Sequence, residues 1–531
     1  MVRLAHFVVF SLFLYLVCAG SAFATTYYIA ANGSDSNSGT SKSNPWAHAP
    51  GMTVCTAACL STTPRPGDQF IFRGCDSWTM SSQWSWSWSG TSGNNIVLGV
   101  DQTWYNTTNC PTAWNRPIFD GSGAFPGTST KAFLALNAGA SFIDVSNFEF
   151  KGFFWSGTAA VNGFISYIDL GSGNNRLIHD NYFHGWSHAA GVAENNDANA
   201  LICGGTSFDL STKVFLNVID GSDTARDSFG GIYGYACGEV YQNYFAYLDN
   251  GFNGGITSFH DNVLSRTSIP PYSGAGSHNN AIESNTDAPN GAVFYNNIFI
   301  HSSTPTGSGV GSWMAPRSGT TSYWFNNISV DGMGSANNNI CAYSLTNPGG
   351  MCVQFNNTVE CGPDSNPNQA CLRLDGQTGN GFPGGVELSN NHYISSQGNS
   401  PPITVDGGTI TQSPNPQLTQ TLSQANGQGY SLNQTFVFSP SVSSNATVGA
   451  GVNGTGLCAL ISRINSGAGM ACLSDTTYAV SYNASNHAVS WPARTPVVRP
   501  SSGAWDVGAY QFGSATVSKP DPPLGLTAVV K

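Results

Sequence analysis

Charge is what this sequence has least of. Only 9% of its 531 residues are Asp, Glu, Lys or Arg, and Lys213 is the sole lysine between residues 152 and 518. With a formal balance of -11 there is no clustered basic footprint of the kind phosphates demand, which argues against a nucleic-acid partner. An acidic polymer would be repelled unless bound cations intervened. Long apolar runs are also missing: beyond the N-terminus nothing reaches the roughly 18 residues a membrane span needs. No phosphate-loop lysine motif, HExxH or GxSxG occurs. Gly449-Ala-Gly451-Val-Asn-Gly454 fits GxGxxG but lacks the strand-turn-helix context of a dinucleotide site. Low charge does not mean disorder here, because 40% of residues are hydrophobic and 12% aromatic, enough to build a core.

The N-terminus carries Arg3, an apolar stretch from Phe7 to about Gly20, and Ala22-Phe23-Ala24, which reads as a signal peptide over residues 1–24 and predicts a secreted, extracellular protein. Val17 precedes Cys18 where a lipid-anchoring signal requires a small residue, so Cys18 is read as lost with the leader. Twelve of the 13 cysteines then remain, in even local groups: Cys55, Cys59, Cys75, Cys110; Cys203, Cys237; Cys341, Cys352, Cys361, Cys371; Cys458, Cys472. Locally paired disulfides in an oxidising compartment suit that grouping, although connectivity is not readable from it. Cys55-x-x-x-Cys59 is the one spacing that also suits a metal, but no histidine accompanies it.

What the chain has in abundance is one phrase: a β-prone run, Asn or Asp-Asn, and another β-prone run. It recurs around Asn181, Asn217, Asn243, Asn262, Asn297, Asn327, Asn357 and Asn391, at intervals of 36, 26, 19, 35, 30, 30 and 34 residues. A loose repeat of this kind is the signature of a coil that tolerates insertions at its corners. Each phrase predicts two short strands meeting at a bend where Asn takes the left-handed conformation. Stacked coils would align the amides into a ladder that satisfies otherwise buried polar atoms. Further strand candidates precede most phrases, at 200–204, 230–235, 280–284, 311–315, 339–343 and 371–375, giving three strands per turn. The predicted organisation is an N-terminal cap with first coils over 25–130, coils over 131–400, C-terminal coils and cap over 401–513, and a Pro-containing tail over 514–531.

Taken together, YYIAANGSDSNSGT, GDQFIFRG, SGTSGNNIVLG, the Asn-bearing coils and the closing WDVGAYQF resemble the secreted right-handed parallel β-helix proteins of the pectate-lyase-like superfamily, over most of the chain. The resemblance implies an all-β solenoid with atypical terminal caps. For function it implies a carbohydrate-active protein working on an extracellular polysaccharide or other glycan, either a polysaccharide lyase or a glycoside hydrolase. The rival is a non-catalytic glycan-binding, adhesive or structural β-helix. Fold alone does not choose between them.

Several constellations bear on that choice. Asp220, Asp223, Arg226 and Asp227 form the densest polar cluster; it suits acid/base work or Ca²⁺ held by Asp223 and Asp227, and equally a corner loop whose carboxylates cap their own backbone. His278 and Glu283 form a second. Alternation about an inward Ile282 puts Ala281 and Glu283 outward, making Glu283 a candidate acid or base, or simply a solubilising residue. The pool for a catalytic carboxyl pair is Glu283 with Asp220, Asp223 or Asp227. Arg317 and Arg373 are rare cations suited to a uronate carboxylate. His179 and His260 each lie two residues before a ladder Asn and are expected on one face. Trp84, Trp86 and Trp88 alternate with serines, so their indoles share a face that either stacks on sugar rings or plugs the N-terminal coil.

Overall fold

The structure, a computed structural model, describes residues 24–122, 132–137, 139–155, 165–188, 198–204, 208–222, 230–248, 250–267, 280–287, 289–300, 313–314, 320–332, 351–361, 372–375, 386–395, 403–406, 417–478, 481–490 and 494–513. The leader 1–23, the strand expected at 339–343 and the tail 514–531 lie outside them.

Strands this short cannot bury both faces alone, so each coil lies against the next. Among the described residues every pairing between strands is parallel except the hairpin Ser481–Asn483 with Ala488–Ser490. The strands form one sheet of eighteen and one of twelve, wound as a right-handed parallel β-helix. A typical coil supplies a leading strand (Ile165–Asp169), a middle strand (Arg176–His179) and a trailing strand (Tyr182–His184). The first two belong to the large sheet and the third to the smaller one. In two coils the leading and middle strands run together, as Gly230–Tyr241 and Asn250–His260. They bend at Gly234 and Gly254, whose φ values are 150° and 146°. There a side chain on Gly254 would begin 1.7 Å from the Gly234 carbonyl oxygen, so only glycine lets neighbouring coils nest.

The corner between middle and trailing strands carries the asparagine ladder. All eight ladder asparagines are at most 1% exposed. Each Nδ2 from Asn181 to Asn357 donates to the Oδ1 of the next ladder Asn at 3.0–3.2 Å. Each of those Oδ1 atoms also accepts the preceding Asn's backbone N–H at 2.9–3.1 Å. The other amide hydrogen goes to a carbonyl one coil back, as from Asn297 to Phe259 at 3.0 Å. Both hydrogens and both lone pairs are thus used inside the core. One expectation needs correcting: the left-handed residue is the one before the ladder Asn. Asp180, Leu216, Gln242, Asp261, Asn296, Asn326, Asn356 and Asn390 have φ of 53–59°. That residue turns the chain, and the next one points inward.

The N-terminal coils are filled by aromatics. Trp84 and Trp86 are 1% and 0% exposed and pack with Phe72, Phe70 and Phe119, while Trp88 lies edge-on to Trp86. The plug therefore wins over the sugar stripe for Trp84 and Trp86, because no sugar reaches a ring inside the coil. Disulfides join Cys55–Cys59, Cys75–Cys110, Cys203–Cys237 and Cys458–Cys472. Cys55 and Cys59 are therefore not metal ligands.

After Thr421 the chain leaves the coil and folds back over its outside. Helices Thr455–Ile461 and Ser466–Cys472, with Trp505, cover Val293, Tyr295, Tyr323, Phe325, Val353 and Phe355. The doubled asparagines serve this segment. Asn326 donates to Ser474 O, Asn356 to Asp506 O and Gly508 O, and Asn390 to Val452 O. In three of the four Asn-Asn phrases, at 326, 356 and 390, the first amide thus docks the returning chain and the second builds the ladder.

Asn297→Ala removes two acceptor bonds and two donor bonds from the core, leaving partners unsatisfied. We expect a loss of roughly 3 to 5 kcal/mol in denaturant unfolding, against about 0.5 kcal/mol or less for the exposed Asn44→Ala. Equal effects of the two would refute the ladder's weight.

Candidate functional site

The leading strands carry one row of residues in register along the large sheet, of which Tyr233 and Asn253 are 8% and 5% exposed. Register runs Ser85, Ala135, Asp169, Ile202, Tyr233, Asn253, Glu283, Met314. It alternates with Leu134, Ile168, Leu201, Ile232, Phe252 and Ile282, all in the core. Glu283 lies on strand Asn280–Asp287, in register one rung from Asn253 and two from Tyr233. Ala281, expected outward, is instead 0% exposed in the core. Near the corner where a coil begins, both sides of the strand face protein.

The structure separates the other carboxyl candidate. Asp220 ends strand Val218–Asp220 of the smaller sheet, in register with His184 and Ala246. It is 8% exposed, and its Oδ1 accepts Ser222 N–H at 2.8 Å, which is the backbone-capping role. Lying beyond the ladder corner on a different sheet, Asp220 does not pair with Glu283. Asp169 shares the row with Glu283 but stands four rungs away, roughly 19 Å at about 4.8 Å per rung. That exceeds the separation of a hydrolase's carboxyl pair, about 5 to 9 Å. Asp223, Asp227, His278 and Arg317 lie outside the described residues. Arg373 lies on strand Leu372–Asp375, in register with Thr404 in a separate two-stranded sheet. Among the described residues no three His, Cys, Asp or Glu side chains group as they would around a metal ion.

A second row, on the middle strands, carries two buried histidines among stacked aromatic rings. His179, Phe215, Tyr241, His260, Tyr295, Phe325 and Phe355 stack ring on ring, with centroids 4.5–5.2 Å apart, because residues in register on parallel strands are one rung apart. His179 and His260 do share a face, as expected, but two rings separate them and they converge on nothing. Each is held between carboxylates. His179 Nδ1 lies 2.7 Å from Asp180 and Nε2 3.0 Å from Asp144. His260 Nδ1 lies 2.6 Å from Asp261 and Nε2 3.4 Å from Glu239, which Lys213 meets at 2.8 Å.

Burial works against a charged ring, but the hydrogen bonds to Asp144 and Asp180 outweigh it and raise His179 to about 10. The same contest, with Asp261 and Glu239, raises His260 to about 9. Burial opposes ionisation of Glu239 too, yet His260 and Lys213 lower it to about 2. At neutral pH these imidazoles are fixed cations with both nitrogens occupied, so they brace the surface and take up no proton. Asp144, Asp180, Lys213, Glu239 and Asp261 were not anticipated from the sequence. A signal was present: His-Asp-Asn occurs at 179–181 and 260–262, and the left-handed Asp brings its carboxylate beside the preceding His.

No protein family is matched by the chain, and no curated protein matches it. Solved structures align with much of it. A GH136 lacto-N-biosidase from Eubacterium ramulus aligns with 75% of this chain and 68% of its own, at 13% identity and a TM-score of 0.47. A rhamnogalacturonan lyase aligns with 73% and 88%, at 15% identity and 0.39. A pectate lyase aligns with 93% and 98%, at 14% identity and 0.38. Similarity of this order reaches neither residues nor chemistry.

The two imidazolium clusters make a pH prediction. A histidine raised from an ordinary value near 6.5 stabilises the fold fully below that value and loses the contribution as pH rises through the folded value. The melting temperature should therefore fall steadily from about pH 7 and level off near 9 to 10 as the folded histidines lose their protons, and His260→Gln should flatten the decline when unfolding is followed by circular dichroism. An unchanged slope in that variant would count against the bracing role.

Proposed function

We propose that this protein is an extracellular carbohydrate-active β-helix that holds a polysaccharide along its leading-strand face and acts on it as a polysaccharide lyase or glycoside hydrolase, with Glu283 as acid or base. The observation that carries this reading is the in-line register of Glu283 with Asn253 and Tyr233, beside the core residue Ile282. Polar and aromatic residues in line, one rung apart, suit a chain of sugar rings. The described contacts of the returning C-terminal segment fall on the ring row, the ladder corner and the smaller sheet, not on this row. The disulfides among the described residues support an extracellular setting. Asp223 and Asp227 remain the residues proposed to hold Ca²⁺, and Arg317, Arg373 and His278 those proposed to meet substrate. The rival reading of a non-catalytic glycan binder is favoured by one observation: no two free carboxyls converge among the described residues.

Screening the purified protein against neutral and acidic polysaccharides, with and without chelator, separates the readings. A lyase yields an ultraviolet-absorbing product, a hydrolase yields reducing ends alone, and a binder is merely retained. Glu283→Gln is expected to lower kcat/KM about 100-fold or more without shifting Tm. Full activity in that variant would remove Glu283 from the chemistry, and retention without product would establish the rival.

A further inference from the structure

A second cleft lies at the N-terminal end of the coil. It encloses about 240 Å³ between the turn at Met52–Val54 and the segment 77–84, somewhat under the roughly 300 to 1,000 Å³ of drug-sized sites, so its occupant is small. Ser85, beside its wall, is six rungs along the leading-strand row from Glu283, roughly 29 Å at about 4.8 Å per rung. The cleft is thus independent of the site proposed above.

Its chemistry is specific. No Asp, Glu, Lys or Arg lines it, so a charged ligand would find no opposite charge to offset its desolvation. Five hydroxyl side chains do: Thr53, Ser77, Thr79, Ser81 and Ser82, each both donor and acceptor. Met52, Val54 and Met80 supply apolar surface between them. The indoles of Trp78 and Trp84 lie behind this wall, 6% and 1% exposed, their N–H groups already given to Ala47 O at 2.8 Å and Pro50 O at 2.9 Å.

The one ionisable side chain in the lining, His48, is held in place. Asp35, 6% exposed, accepts the backbone N–H groups of Ala47, His48 and Thr56 at 3.0–3.1 Å and meets His48 Nδ1 at 2.9 Å. A carboxylate on Nδ1 sets the ring's orientation and leaves Nε2 to whatever occupies the cleft. The walls are braced as well: Thr53 Oγ1 and Ser82 Oγ are hydrogen-bonded across the mouth, and Cys55–Cys59 closes the turn that follows Val54. Many two-way hydroxyls, a fixed imidazole, apolar patches and no formal countercharge together suit a ligand that is neutral, rich in hydroxyls and partly apolar on its ring faces.

We propose that this cleft is a second, non-catalytic binding site for a short neutral saccharide. Because Trp78 and Trp84 lie behind its wall, their emission reports occupancy, and calorimetry gives the affinity. Glucose, galactose, maltose and cellobiose are the probes, with glucuronate as the charged comparison. At least one neutral sugar should bind saturably with a Kd of roughly 0.1 to 10 mM. His48→Ala should weaken it about tenfold, the equivalent of one hydrogen bond. Thr79→Trp, which fills the cleft from an exposed position, should abolish it while leaving the circular dichroism unchanged. Glu283→Gln should bind like the unmodified protein, so that failure at the leading-strand face and failure here are told apart. Absence of saturable binding up to about 50 mM sugar, undiminished binding by folded Thr79→Trp, or tighter binding of glucuronate than of glucose would each overturn the proposal.

Discussion

The structure depends on one interaction, the amide-to-amide hydrogen bond that links each coil to the next at a single corner. An unpaired buried amide costs more than a paired one returns, so a coil whose Asn missed the column would leave several donors and acceptors unsatisfied at once. That asymmetry sets the register of each coil against its neighbours. It also explains why the repeat tolerates intervals of 19 to 36 residues: the corner is constant, and the chain elsewhere in the turn takes up the difference.

The left-handed residue before each ladder Asn is where the coils diversify. Its side chain points away from the column, so its identity is free to serve the surface. In the coils around 180 and 261 it is Asp, which holds the neighbouring imidazole as a cation. Around 326, 356 and 390 it is Asn, which receives the folded-back C-terminal segment. Arg494 anchors that segment from within, paired with Asp475 and sandwiched between Phe436 and Tyr510. One backbone geometry thus yields an ion-braced half and a clasped half.

This division bears on where chemistry takes place. Ionisable groups on the middle strands are neutralised by one another, with pKa values driven away from the range useful for proton transfer near neutrality. The leading-strand row has two carboxylic residues in register, Asp169 and Glu283, four rungs apart. The N-terminal cleft is a third environment, polar without being charged. A scarcity of lysine and arginine is consistent with a surface that meets neutral hydroxylated partners by hydrogen bonding and ring contact instead of ion pairing.

Much of this was readable from the residues alone. The Asn phrases predicted the wound parallel sheet, the position of the ladder and the sharing of one face by His179 and His260, because period and local conformation are properties of short segments. Sequence did not decide which carboxylates meet: Asp220 and Glu283 look alike in the chain, yet a corner separates them onto different sheets. Nor did it decide whether Trp84 and Trp86 face sugar or core, since alternation assigns residues to a shared face without saying which face is covered. Those outcomes depend on rung distance, on the position of each corner and on what folds back across the surface, and such quantities exist only once the coils are stacked.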